Sequence, residues 1–213
     1  MNQFQQPRRR VGGGSIPDVI FILLIVNGLM FAAQNMFDGP YAGGPIGSNF
    51  ALWPLNSFAG DFYPWQLVTY GFLHGNFTHL LFNMFMLWMF GRELEVLMGT
   101  RRFLTYFLTC VIGAGIVQLI VAGMQGGGYP TIGASGGVFG ILLAFGMAFP
   151  NRMILLLIPP IPMKAKYLVL LAGAIELFVG VSGMSPGIAH FAHLGGMLFG
   201  FGLLMYWKNK PRR

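Results

Sequence analysis

The sequence predicts an all-α polytopic membrane protein, a bundle of six transmembrane helices with both termini on the cytoplasmic side. Three observations carry this: the scarcity of charge, the length of the apolar stretches, and the side on which the basic residues fall. Of 213 residues, 55% are hydrophobic and 9% are charged, with a mean hydropathy of +0.65. A soluble domain carries roughly 25% charged residues, so water is not the solvent for most of this surface. Apolar stretches run over about 17–37, 66–91, 103–123, 135–149, 165–183 and 188–207. Several reach the ~20 residues needed to cross a hydrocarbon core about 30 Å thick.

The basic residues fall at Arg8, Arg9 and Arg10, at Arg92, Arg101 and Arg102, at Arg152, Lys164 and Lys166, and at Lys208, Lys210, Arg212 and Arg213. With six helices alternating from a cytoplasmic N-terminus, all 13 Lys and Arg lie on the cytoplasmic side, as the positive-inside rule requires. The opposite loops, about 38–65, 124–134 and 184–187, hold none. The net charge of +7 is therefore a topology signal. Nucleic acid is excluded as a partner, because these residues form no stripe on a soluble surface. The chain divides into a basic cytoplasmic tail at 1–16, a membrane domain at 17–207 and a second basic tail at 208–213. Arg8 to Arg10 before an apolar run has the outline of a signal peptide, but the run is long for one and no A-x-A site follows. The single cysteine, Cys110, rules out an intrachain disulfide and a zinc site built on several thiolates; its apolar surroundings read as packing.

In chain order, the first helix leads into an outer loop at about 38–65 that contains Pro40, Pro45 and Pro54 with Trp53, Phe58, Phe62, Tyr63 and Trp65. Aromatic residues without Lys or Arg fit a segment partly embedded in the membrane interface. The second helix carries His74, His79 and Asn83. The third is the most uniformly apolar, and Gly126, Gly127, Gly128, Tyr129 and Pro130 end it on the outside. Ser135 opens the short fourth helix, Glu176 lies in the fifth, and His190 and His193 begin the sixth.

Polar side chains in a membrane helix are expensive, so they should face the bundle interior and mark function. Their depths follow from counting residues to the first cytoplasmic basic residue. His79 to Arg92, Ser135 to Arg152 and His193 to Lys208 give roughly 20, 25 and 23 Å at about 1.5 Å per residue. A histidine, a serine and a second histidine thus share a level somewhat below the outer surface. Gly136 and Gly140 follow Ser135, and Gly196 and Gly200 follow His193; each pair has the G-x-x-x-G spacing that lets helix backbones approach closely. Ser135 and His193 are expected within hydrogen-bond reach.

A serine hydroxyl becomes a nucleophile when an adjacent base takes its proton, and histidine has the pKa for that task. Ser135 stands at a helix N-terminus, where free N–H groups favour a developing oxyanion. His79 and Asn83 share a helical face four residues apart and read as further oxyanion donors. Gly196 places His193 on the close-packed face, so His193 rather than His190 is the expected base; His190 is expected nearer the surface, bonded to loop backbone. Asp38 and Asp61 lie in the outer loop, and Glu176 sits nearer mid-helix. A dyad is therefore expected rather than a triad, with Glu176 in a structural pairing.

These residues together resemble the rhomboid intramembrane serine proteases. The G-x-S-G element is Gly133, Ala134, Ser135, Gly136, and the A-H-x-G-G element is Ala192, His193, Leu194, Gly195, Gly196, continued by Gly200. H-x-x-x-N is His79 and Asn83, with His74 five residues earlier, and Glu95 matches the acidic residue ending that helix. The resemblance spans about residues 17–207. It departs at Trp65, Gln66, where the family often has Trp-Arg, which puts in doubt the loop contacts an arginine would make. It implies the six-helix fold, Ser135 as nucleophile, His193 as general base and then acid, and cleavage of single-span membrane proteins near their outer ends. The fifth helix and outer loop would control substrate entry. Expected partners are transmembrane protein substrates and the lipid bilayer, with no cofactor. The short tails point to a bacterial inner-membrane enzyme whose site opens to the non-cytoplasmic side.

Rival chemistries fit less well. No H-E-x-x-H run is present for a metalloprotease, and no acid or third histidine is evident beside His190 and His193, so no metal is expected. An aspartyl protease needs two carboxylates at one depth. A non-catalytic rhomboid-like binder or chaperone is the alternative from another class, and it would have no need of a serine at a helix N-terminus beside a base.

Overall fold

The computed structural model describes residues 18–38, 44–125, 128–156, 160–184 and 187–209. The tail expected at 1–16 lies outside the described residues, as do residues 39–43 of the outer loop, Gly126 and Gly127, and Lys210, Arg212 and Arg213 of the C-terminal tail.

Helix α1 (Asp18–Phe37) has 20 residues, about 30 Å at 1.5 Å per residue. Its first turn is anchored from elsewhere in the chain: the backbone N–H groups of Val19 and Ile20 donate to the two carboxylate oxygens of Glu95 at 3.1 and 3.0 Å. A carboxylate there satisfies donors the helix leaves open and meets the positive end of its dipole.

The outer loop begins with Asp38, whose carboxylate accepts from Ile46 and Gly47 N–H at 2.8 and 2.7 Å at the start of the short helix α2 (Pro45–Phe50). Leu52 then forms an isolated antiparallel bridge with Thr131, with bonds of 3.0 and 2.9 Å. Ala51, Leu52 and Trp53 are buried, whereas Leu55 and Phe58 are exposed. Gln66 holds this loop. It is fully buried, accepts from Trp53 N–H at 3.1 Å and donates to the Asn49 and Asp61 carbonyls at 3.3 and 3.1 Å. A neutral amide is both donor and acceptor, so the glutamine makes loop contacts of its own.

The second helix expected over 66–91 is not continuous. Helix α3 (Gln66–Thr69) passes into a 3₁₀ turn at Tyr70–Phe72, and Leu73 and Asn76 are extended. Helix α4 (Phe77–Met86) starts only where the Asn76 side chain caps it, accepting from His79 N–H at 2.8 Å. Asparagine favours this position because its oxygen satisfies a free N–H of the first turn. His74 consequently precedes the helix that carries His79 and Asn83. A π-helical turn at Leu87–Gly91 joins α4 to α5 (Arg92–Met98).

Helix α6 (Thr100–Gln125) is the central column, with Phe103, Tyr106, Phe107, Cys110 and Ala114 fully buried. Helix α7 (Ser135–Ala148) has 14 residues, about 21 Å, so it is shorter than a hydrocarbon core of about 30 Å. A small antiparallel hairpin, β1 (Met153–Leu155) with β2 (Pro162–Lys164), pairs Met153 with Lys164. It leads to α8 (Ala165–Ser182) and then α9 (His190–Asn209). Among the described residues, α1, α6 and α8 have the length and hydropathy to cross a membrane.

Between helices in lipid, close backbone approach replaces the hydrophobic drive that water supplies, and glycines provide it here. A Cβ on Gly196 would overlap the carbonyl of Gly136, one on Gly140 would overlap Cys110 Sγ, and one on Gly200 would overlap the Tyr106 hydroxyl. Helices α6, α7 and α9 therefore form one glycine-lined seam. Its basic end is marked by Arg102 over the Trp207 ring at 6.0 Å and by Arg152 paired with Glu93 at 2.8 Å.

Candidate active site

At the other end of the seam lies a cavity of about 1050 Å³, lined by Tyr70, His79, Ser135, Glu176, His190 and His193 among others. Ser135 is the first residue of α7, and the segment leading to it is held on two sides. Thr131 is bridged to Leu52, and Gly133 N–H donates to the Tyr70 carbonyl at 2.9 Å. The Tyr70 hydroxyl in turn donates to the Val111 carbonyl on α6 at 2.7 Å. Gly133 has φ +130°, a backbone region that L side chains rarely adopt. A Cβ there would also sit 2.8 Å from His79 Cε1.

Across the α7/α9 contact, Ser135 Oγ lies 2.7 Å from His193 Nε2. The two residues are 58 positions apart in the chain, and the Gly136–Gly196 contact brings their helices together one residue beyond the serine and three beyond the histidine. The ring of Phe139 stacks on that of His193, with centroids 4.4 Å apart and planes 4° off parallel. Phe139 was missed in the sequence, although it lies four residues after Ser135 and so on the same helical face.

His79 Nδ1 accepts a long bond of 3.4 Å from Gly75 N–H, which in the neutral ring assigns the hydrogen to Nε2. The Nε2 edge faces Gly133, where a Cβ would come within 2.9 Å of it. Asn83 is buried one turn further on, with its amide donating to the His79 carbonyl at 2.9 Å; it is not among the residues lining the cavity. His74 is buried against His79, ring centroids 5.0 Å apart.

Two expectations from the sequence need correction here. Glu176 is not remote from the histidines: its Oε2 lies 2.6 Å from His190 Nδ1 and 2.9 Å from His193 Nδ1. His190 accordingly directs its ring at this carboxylate rather than at loop backbone. An acid therefore does stand beside the two histidines, and donor atoms of Glu176, His190 and His193 all lie within 4.8 Å of one another. Two ligands of a tetrahedral ion at ~2.0–2.1 Å sit about 3.3 Å apart. The contacts of Oε2 are shorter than that, so as arranged the three groups are packed on one another rather than opened around an ion, with a hydrogen bond between Glu176 and His190 and a 2.9 Å approach to His193 Nδ1, which makes no hydrogen bond.

A family model described as Rhomboid domain matches residues 61–209. The chain belongs to the rhomboid family. It is 30% identical over 158 residues to the rhomboid protease GlpG of Yersinia pestis, covering 74% of this chain and 52% of that protein. Over 143 residues it is 30% identical to the mitochondrial rhomboid protein 1 of Saccharomyces cerevisiae, covering 63% of this chain and 39% of that one. The presenilin-associated rhomboid-like protein of Rattus norvegicus mitochondria is 27% identical over 150 residues, 65% of this chain and 38% of its own length. The chain thus spans about half or less of the length of these curated relatives. As a rhomboid with long apolar helices, it is an integral membrane protein, and its family includes intramembrane proteases.

Proposed function

We propose that this rhomboid is an intramembrane serine endopeptidase that hydrolyses peptide bonds in or near transmembrane segments of membrane-protein substrates. The observation that carries the reading is the 2.7 Å contact between Ser135 Oγ and His193 Nε2, formed between helices beside a cavity large enough for an extended peptide. Ser135 attacks the scissile carbonyl while His193 takes its proton, later returning it to the leaving amine. The N–H groups at the start of α7 and His79 supply the oxyanion donors, Asn83 joins them when its amide turns from the His79 carbonyl toward the cavity, and Phe139 keeps the imidazole plane in place. Gly133, Gly136, Gly140, Gly196 and Gly200 shape and pack the site. No cofactor or metal takes part.

The same reading has six membrane crossings, both termini in the cytoplasm, and a site opening to the non-cytoplasmic side of a bacterial inner membrane. The shortness of α7 supports it, since a 14-residue helix anchored near the basic end leaves Ser135 below the outer surface. The test is fluorophosphonate labelling of the protein in detergent together with cleavage of a single-span substrate. Wild type should label and cleave, and Ser135→Ala and His193→Ala should do neither. His79→Ala is expected to lower kcat by the equivalent of about 2.7 to 4 kcal/mol. A folded wild type that neither labels nor cleaves would leave a non-catalytic binder.

A further inference from the structure

The proposed Ser135–His193 chemistry leaves one nearly buried carboxylate of the same cavity unused. Glu176 enters from α8 with its side chain 13% exposed, against 11% for His190 and 10% for His193. Placing a carboxylate there is costly unless its charge is matched by hydrogen-bond donors. Among the described residues, the groups that face it are the Nδ1 atoms of the two histidines, that of His190 in a 2.6 Å hydrogen bond and that of His193 at 2.9 Å without the geometry of one.

For His193 Nε2 to accept the serine proton, the ring's hydrogen must sit on Nδ1. The atom facing Nδ1 is Glu176 Oε2 at 2.9 Å. We propose that Glu176 is a positioning residue: it fixes the proton-accepting tautomer of His193 and offsets the positive charge that ring gains, and His190 holds the carboxylate in place for this. The inference rests on the serine-protease reading above and adds a third member, from a different helix, to the pair.

The proton balance is simple. As Ser135 Oγ bonds to the carbonyl carbon, its proton moves to His193 Nε2. The ring then carries hydrogen on both nitrogens, with Nδ1–H toward the carboxylate, which stays ionised. The Nε2 proton passes to the leaving amine nitrogen when the C–N bond breaks. Oε2 lies off the direct line of the Nδ1–H, drawn toward its 2.6 Å bond with His190. Such contacts commonly align only as the transition state forms.

A carboxylate that merely tied α8 to α9 would account for the same distances, so the test needs a readout that a tie would not move. Glu176→Gln keeps size and shape, but its amide N–H₂ donates toward Nδ1 and favours the tautomer that cannot take the serine proton. With the full-length protein in proteoliposomes and a single-span substrate, that variant should lose about 10- to 100-fold in kcat, within the range typical of general-base catalysis, with KM within about twofold. Glu176→Asp, which retains the charge on a shorter arm, should recover a substantial part of kcat. His190→Ala should lose less than Glu176→Gln. Both Glu176 variants should label with fluorophosphonate in proportion to kcat and unfold at temperatures close to wild type.

The inference is overturned if a folded Glu176→Gln protein keeps kcat within twofold of wild type. It also falls if kcat follows only the unfolding temperature across the Gln and Asp variants. A wild type that fails to label sinks the serine-protease reading itself, whereas a labelling wild type with an unaffected Gln variant sinks only the role of Glu176.

Discussion

The two helices that flank α9 meet it in opposite ways. Against α7 the contact is backbone on backbone, with Gly196 so close to the Gly136 backbone that it has no room for a Cβ. Against α8 it is a single stripe, Gly173, Glu176 and Gly180, which meet Met197, the two histidines and Phe191, spaced three and four residues apart as one helical face requires; Ala165 and Val169, earlier on α8, pack on Gly146 of α7 instead. Outside that stripe, Leu170, Leu171, Ile175, Leu177, Phe178 and Val181 are exposed, and 11% of the helix's apolar window is buried, against 33% for α6. Serine and base are thus fixed by contacts that cannot shift without moving backbone. The carboxylate rides on a helix whose outer face packs against no other part of the described chain, so fewer contacts hold it in place. On the proposed function, the tight contact holds the two atoms that must stay within hydrogen-bond reach, and the loose one lies on the side where a polypeptide would enter.

Four substitutions put this contrast to the test. The largest effect is expected from Gly196→Ala. Its new methyl would strike the Gly136 carbonyl, and backbone cannot give as a side chain can, so destabilisation at or above the usual 1–3 kcal/mol of overpacking should accompany loss of cleavage. Thermal unfolding in detergent and a substrate assay together read both.

Next should come Gln66→Ala, which strips the outer loop of three hydrogen bonds and leaves buried backbone groups unsatisfied, at about 1–3 kcal/mol for each such group. Proteolysis of intact vesicles should then cut within residues 51–65 faster than in wild type. Gly180→Ala is the counterpart of the first substitution on the compliant side. A Cβ there would approach His190 Cβ at 3.1 Å and the Phe191 ring at 3.2 Å, and α8 can yield. Its cost should stay below about 1 kcal/mol, with kcat lowered several-fold if Glu176 shifts with the helix; an effect as large as that of Gly196→Ala would show the α8 contact to be rigid after all. Phe178→Ala, 65% exposed on the outer face of α8, should fall within about 0.5 kcal/mol of wild type, as surface changes usually do.

That Ser135, His79 and His193 would meet was readable in the sequence, because the rise per residue is fixed and counting from the basic residues put them at one level; in the structure they line one cavity. Close approach was readable too, since glycine spacing is a linear feature. Rotation about a helix axis was not. Glu176 was judged by its distance from the end of its own helix, and nothing in the chain says which way α8 turns toward α9. The break before Phe77 was missed for a related reason: residues 66–91 are apolar enough for a continuous helix, and it is the cap supplied by Asn76 that starts α4 late and leaves His74 outside the helix.

The seam also contains the chain's single cysteine. Cys110 has no accessible surface and faces the places where Gly140 and Gly200 pass, at the crossing of α6, α7 and α9. A thiol reagent can reach it only when those helices part, so its rate of modification is a clock for that event. The unmodified sequence therefore comes with a kinetic probe, which can report on the free energy of local opening in any lipid or detergent without a label being engineered into the site.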